Sequence, residues 1–324
     1  MAGPRLLLAV DGGNSKTDVA VVTADGEVVA TARTGPFEPQ SAGVAAAVDV
    51  VAQAADRCGV PAPAFEHVSA CLAGADFPVE EEALAAEFAA RGFGDVVVRN
   101  DTFALLRAGT SAPWGVAVVC GAGINAIGVS PTGQVARFPS LGRLSGDWGG
   151  GQGVAEEALW HAVRAEDGRG APTALVELVT SHFGTATVEE LVLDLHFGRV
   201  DEGRLHELAP GVLAVAAAGD ALARELARRQ AEEVTVMAEV CLRRLGLLET
   251  PVEVVLGGGM LTAGDPLLTS LLESAFAARA AQAKLVVPDL PPVAGAALLG
   301  LDHLGAPEAA LARLRARFEP PVRR

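Results

Sequence analysis

Asp11-Gly12-Gly13-Asn14-Ser15-Lys16-Thr17 sets one carboxylate, two glycines and a run of amide, hydroxyl and ammonium donors between two apolar stretches. An apolar strand, a Gly-Gly-Asn-Ser turn and an alternating second strand predict a hairpin whose turn residues need φ > 0. Backbone N–H groups in such a turn can form a nest for an anion, and Ser15, Lys16 and Thr17 add donors and charge. Asp11, at the strand end, can hold a hydrated Mg²⁺ beside that anion. The chemistry on offer is a metal–phosphate site. An ordinary hairpin with a solvated Lys16 fits the same residues. A P-loop is excluded, because Ser15 and not glycine precedes Lys16 and a strand-like run follows. A dinucleotide fingerprint is excluded by the same strand–turn–strand order.

Three further strand ends carry candidate chemistry. Asn100-Asp101 follows an apolar strand and precedes a helix, where Asp101 is a natural N-cap, and a capped Asp is also a fixed one. Gly121-Ala122-Gly123 closes the strand before Ile124, and Gly257-Gly258-Gly259 follows Val254-Val255-Leu256. Asp147 stands among Gly146, Gly149, Gly150 and Gly151, which suits close approach of backbone to a ligand or a loop with an Asx-turn. The adjacent Trp148 suits either a sugar face or the core.

The elements that must position these groups follow from periodicity. Strands are expected over 6–10, 17–22 and 27–32, then helix 44–57, strand 68–72, helix 80–91, strand 96–99 and a helix from 103. After a linker-like 109–113 the order restarts with strands 116–120, 124–129 and 134–138. A helical stretch, 154–247, is inserted before strand 252–256, a helix from 266, strand 285–287 and a final helix from 293. The halves repeat in pattern and hardly in sequence. Such duplicated α/β halves imply a ligand cleft between two domains.

Composition narrows the class. The chain has 324 residues, 50% of them hydrophobic, which suffices for two cores. A net charge of −15 argues against a nucleic-acid partner. No apolar run reaches membrane-span length and no signal-peptide pattern opens the chain, so a cytoplasmic protein with no membrane partner is expected. Cys58, Cys71, Cys120 and Cys241 are scattered without a CxxC and read as reduced core thiols. The six histidines lack metal-ligand spacing. The mixed charges of 224–244 read as a solvated helix face, and Arg315, Arg317, Arg323 and Arg324 as a solvated tail.

These motifs, in this order, resemble the sugar kinase, heat-shock-70 and actin superfamily, and within it most the N-acetylglucosamine kinase and BadF/BadG/BcrA/BcrD-type ATPase family. The resemblance covers nearly the whole chain. It implies two ribonuclease-H-like, actin-like ATPase domains of α/β class around a central cleft: an N-terminal domain over 1–112, and a C-terminal domain over 113–300 with a helical insert at about 154–247. A C-terminal helix and tail over 301–324 would pack back on the first domain. ATP and Mg²⁺ are the implied cofactors and ATP-dependent phosphorylation of an amino sugar the implied activity, with room for a homodimer. On that reading Gly12, Gly13, Asn14, Ser15, Lys16 and Thr17 match the first phosphate loop and Asp11 the metal carboxylate. Gly121, Ala122 and Gly123 match the second phosphate loop, and Gly257, Gly258 and Gly259 the adenosine loop. Asp101 is the base for the attacking hydroxyl, since phosphoryl transfer needs charge neutralisation and a proton acceptor. Glu38, Gly74, Asp76, Asn100, Asn125 and Asp147 would line the sugar pocket. Asp167-Gly168-Arg169-Gly170 and Pro292-Val293-Ala294-Gly295-Ala296-Ala297 look like two further family elements.

Four positions depart from the family pattern. Ala122-Gly123-Ile124 lacks the hydroxyls of the usual second loop, Trp148 replaces a glutamate, Glu38 stands near an expected asparagine, and Ala73-Gly74-Ala75-Asp76 replaces Ser-Gly-Gly-Asp. A glutamate in the pocket would favour a free amine over an acetamide. Two other readings remain at this point: a non-catalytic nucleotide-binding regulator, and an ATPase activator of a 2-hydroxyacyl-CoA dehydratase, which needs cysteines placed for an iron–sulfur cluster.

Overall fold

The structure, a computed structural model, describes residues 5–319. The opening hairpin forms: β1 (Leu6–Gly12) pairs antiparallel with β2 (Thr17–Thr23), Asp11 opposite Asp18 and Gly12 opposite Thr17. β3 (Val28–Thr34) extends the meander. The short α1 (Pro39–Ala42) and the longer α2 (Val44–Arg57) lead to β4 (Phe65–Leu72), parallel to β1. α3 (Pro78–Ala90) then leads to β5 (Asp95–Asn100), parallel to β4, and to α4 (Thr102–Gly109). The sheet order is β3-β2-β1-β4-β5.

Period-two alternation assigns the faces of this sheet. Leu8, Val10, Val19, Val21, Val68, Ala70 and Leu72 bury against Val48 and Val51 of α2. Leu7, Ala9, Ala20, Val22 and Cys71 fill the other face. By the same alternation Asp11, in register with Cys71 and Arg99, ends this second face at the carboxyl ends of the parallel strands.

The chain then repeats the arrangement. β6 (Gly115–Cys120), β7 (Ile124–Val129) and β8 (Val135–Arg137) are followed by α5 (Gly150–Glu166), α6 (Leu175–Phe183), α7 (Val188–His196), α8 (Ala209–Ala218) and α9 (Ala221–Arg244). β9 (Val252–Gly257), α10 (Gly259–Thr262), α11 (Pro266–Arg279) and β10 (Ala283–Val286) complete the repeat. The second sheet, read as β8-β7-β6-β9-β10, matches the first strand for strand. Among the described residues, no single helix is long and apolar enough to cross a membrane.

α12 (Pro292–His303) and α13 (Glu308–Phe318) close the chain. Two compact units result, one of the described parts of 1–117, 129–134 and 288–324, the other of 118–128 and 135–287. The expected linear division at 112 and 300 is therefore corrected: α12 belongs to the first unit. The cause is its small-residue face. A Cβ on Gly295 would lie 1.9 Å from the Ala104 carbonyl oxygen of α4, and one on Gly300 would lie 2.5 Å from Leu7 of β1. Arg107 of α4, almost wholly buried, pairs with Asp302 at 2.7 Å. Arg315, expected in a solvated tail, instead donates to the Thr110 carbonyl at 2.7 Å, and burial lowers its pKa. Arg323 and Arg324 lie outside the described residues.

Candidate active site

In the first unit the candidate carboxylates gather at the strand ends. Asp11, at the end of β1, has its pKa raised to about 7, first by burial and then by the charges of Asp101 and Asp18. Asp18 is held in the opposite sense: Arg33 grips it at 2.6 and 3.0 Å and Lys16 at 3.0 Å, which keeps its pKa low despite desolvation. Lys16 is thus ion-paired and half-exposed, while Asn14 and Ser15 are exposed at the tip. Thr17 differs from the expectation of a donor at the turn. Its hydroxyl is buried and lacks a partner, because Thr17 shares the face of Gly12 and Val19. The expected positive φ is also absent from Gly12, Gly13, Asn14 and Ser15. Gly12 is needed for space, since its Cβ would meet Leu72 at 2.7 Å and Phe37 at 3.1 Å. The Gly13 N–H donates to the Lys16 carbonyl at 2.9 Å and closes the turn. A groove of about 480 Å³ beside Lys16, Asp18 and Arg33 is walled by Pro291, Val293 and Phe318.

Asp101 begins α4 but does not cap it. Its neighbour takes that role: Asn100 Oδ1 accepts from the Thr102 N–H at 3.1 Å and the Thr102 hydroxyl at 2.5 Å. The Asn100 amide donates to Asp76 Oδ1 at 2.8 Å, joining the ends of β4 and β5. Burial raises the pKa of the Asp101 carboxylate to about 6, against the pull of the Thr102 and Asp101 N–H groups. Gly74, with φ of +72°, abuts Gln40, whose amide donates to the Gly74 carbonyl at 3.1 Å. Glu38 is exposed at the start of α1, and its carbonyl, not its side chain, serves that helix. Gln40 and not Glu38 therefore reaches the Gly74 turn. Phe37 N–H to Gly13 carbonyl, 2.9 Å, ties this segment to the hairpin.

In the second unit the glycine loops pack against one another. The Gly151 and Gln152 N–H groups donate to the Gly121 and Ala122 carbonyls at 2.7 and 2.9 Å. Gly258, φ +84°, leaves no room for a Cβ against the Cys120 backbone. Gly259 opens the four-residue α10, and Gly257 ends β9. Asn125 Oδ1 accepts from the Ala126 N–H at 2.7 Å. Asp147 Oδ2 accepts from the Ser145 hydroxyl at 2.7 Å, in a loop turned by Gly146 at φ +88°. Trp148 is buried, with the Arg229 guanidinium 4.1 Å from its ring centroid and Nε1 3.4 Å from Glu157, so it is a core residue.

A model of the BadF/BadG/BcrA/BcrD ATPase family matches residues 8–300. The chain belongs to that family. It is 24% identical over 262 residues to an N-acetylmuramic acid/N-acetylglucosamine kinase of Clostridium acetobutylicum, covering 79% of this chain and 86% of that protein. It is 25% identical over 208 residues to an N-acetyl-D-glucosamine kinase of Dictyostelium discoideum, covering 63% and 65% of the two chains. Among solved structures, a candidate N-acetylglucosamine kinase of Chromobacterium violaceum superposes with a TM-score of 0.71 at 26% identity, over 91% of this chain and 99% of that one.

Other features of this BadF/BadG/BcrA/BcrD-family chain fall outside those loops. Cys71, Cys120 and Cys241 are buried and each thiol is pushed up to about 12 by desolvation, which makes them poor thiolate ligands for an iron–sulfur cluster. Asp167-Gly168-Arg169-Gly170 is a local turn after α5, closed by Arg169 on Asp167 at 2.6 Å. The histidine spacing gave no hint that His67 and His303 meet. Both bond Asp95 Oδ2, at 2.8 and 3.0 Å, with their rings stacked at 4.1 Å and 11°. Near-parallel rings cannot both aim an in-plane lone pair at one ion, so this trio reads as a clasp between β5 and α12. The mixed-charge face of α9 pairs as expected, Arg228 with Glu225 and Glu232, but its opposite side buries Gln230 and Thr235.

Proposed function

We propose that the protein transfers the γ-phosphoryl group of ATP to a hydroxyl of an amino sugar of the N-acetylglucosamine type. The observation that carries the reading is Asp101, a carboxylate spared from helix capping by Asn100 and tuned by burial to about 6. A general base works best near the operating pH, and this one is mostly ionised at neutrality. It accepts the hydroxyl proton as the sugar oxygen bonds to the γ-phosphorus and the bond to the bridging oxygen of ADP breaks. The names of the kinase relatives support the substrate class.

Asp11 is the residue suited to Mg²⁺. It is a hard oxygen donor without a cation of its own, whereas Asp18 is already neutralised by Lys16 and Arg33. When bound, the ion would offset phosphate charge. The backbone of residues 12–17 and 121–123 and the turn at 257–259 are assigned to the nucleotide. The Asn100–Asp76 pair, Gly74, Asn125, Asp147 and the turn at Glu38 are assigned to the sugar. The altered second loop would suit a regulator, but the carboxylates of Asp11, Asp101 and Asp147 favour catalysis over a purely regulatory role.

The test is coupled ADP release with Mg-ATP over N-acetylglucosamine, N-acetylmuramic acid, glucosamine, N-acetylmannosamine and glucose. The proposal expects release that depends on one of the amino sugars. Equal release with and without every sugar overturns it.

A further inference from the structure

Gln230 of α9 is fully buried, yet its side chain is only half satisfied. Oε1 accepts from the Gly150 N–H at 2.9 Å, while Nε2 has no partner. An unpaired buried amide hydrogen costs stability, whereas the bond that Oε1 accepts satisfies the buried Gly150 N–H. What Oε1 holds is therefore the reason for glutamine here.

It holds the start of α5. Gly149 and Gly150 carry consecutive positive φ values of +115° and +72°. A Cβ on Gly149 would lie 2.5 Å from Gln230 Oε1, and one on Gly150 would lie 2.4 Å from the Ala122 carbonyl oxygen and 2.6 Å from Gly123. The next two N–H groups grip the carbonyls of Gly121 and Ala122. Each anchored carbonyl fixes the peptide plane of the N–H that follows it. In this way the Gly121 and Ala122 carbonyls set the directions of the Ala122 and Gly123 N–H groups. Asp147 lies three residues before Gly150 on the same segment.

We propose that Gln230 is a positioning residue, which through Gly150 fixes the direction of the loop N–H donors of Ala122 and Gly123 that take up ATP phosphate. The assignment rests on the nucleotide-binding reading of that loop. Its effect is read on nucleotide affinity, over and above the stability lost by the orphaned Gly150 N–H.

The test is calorimetric titration of the intact protein with a non-hydrolysable ATP analogue and Mg²⁺, without sugar, beside a thermal melt. Gln230→Met keeps the shape and removes the acceptor. It is expected to weaken the analogue by about tenfold, the effect of one hydrogen bond of ordinary strength, with a Tm within a few degrees of wild type. Gln230→Glu keeps an oxygen acceptor for the Gly150 N–H in either protonation state, so its affinity for the analogue is expected to stay closer to wild type than that of Gln230→Met. Wild-type affinity in Gln230→Met overturns the proposal, as does an equal deficit in both variants. If Gln230→Met does not fold, Gln230→Glu decides alone, and a deficit of about tenfold in it overturns the proposal. A wild-type protein that binds the analogue but phosphorylates no sugar refutes the kinase reading and leaves this test standing.

Discussion

Asp101 and Asp11 differ in what surrounds them, and that difference separates their titrations. Asp101 acts as a base only when ionised, so with its pKa near 6 the rate should fall about tenfold per pH unit below that value. A pH profile of kcat/KM checks this, and a rate flat down to pH 4.5 contradicts it. Asp11, raised to about 7, holds a proton near neutrality that a bound cation must displace. Mg²⁺ affinity should rise as pH goes from 6 to 8, and Asp11→Asn should remove that slope. The stability linkage has a matching sign. A carboxyl raised by folding stabilises most below its unfolded value near 3.8 and loses that contribution as pH rises through about 7. Asp11→Asn should accordingly flatten the alkaline limb of Tm against pH.

At the scale of elements, the sequence disclosed the strand ends but not which neighbour would use them. Asn100-Asp101 reads as a strand-end site in which Asp101 also caps the helix. In the structure the Asn100 side chain faces back to Thr102 and accepts from it instead. The Phe37-Glu38-Pro39-Gln40 turn was expected to bring Glu38 to a pocket, yet it is Gln40 that bonds the Gly74 carbonyl. Gln230 was hidden because neighbouring Arg and Glu residues make α9 read as a solvated face, and periodicity does not show which polar residue turns inward. Three predictions belong here. Asp147, held by Ser145, is assigned two sugar hydroxyls, and loss of one charge-assisted bond costs roughly 1.5–3 kcal/mol. Asp147→Ala should raise the sugar KM about tenfold or more with little change in sugar-independent ATP hydrolysis. Glu38→Asn should shift kcat/KM from an amine towards its N-acetyl form, and an unchanged ratio removes Glu38 from the pocket. Gly295→Ala drives a methyl into the Ala104 carbonyl. It should lower stability by about 1–3 kcal/mol, the usual cost of overpacking, seen as a Tm drop of several degrees.

For the whole molecule, the duplication of a five-stranded order was readable from the pattern of strands and helices. The assignment of α12 and α13 to the first unit was not, since it depends on where a helix of small residues finds a matching surface. Gly295 and Gly300 supply that match on α12, and sequence spacing alone does not name their partners. The family assignment spans residues 8–300 and ties both units to one activity, so the central claim concerns the product formed by the intact protein. The direct measurement is mass-spectrometric quantification of phosphorylated N-acetylglucosamine formed from Mg-ATP by wild type and by Asp101→Asn at pH 7.5. Sugar phosphate in amounts equal to the ADP released, with a rate lower by about 10²–10⁴-fold in the folded variant, is the predicted result. ADP without any sugar phosphate, or equal rates in the two proteins, would contradict it.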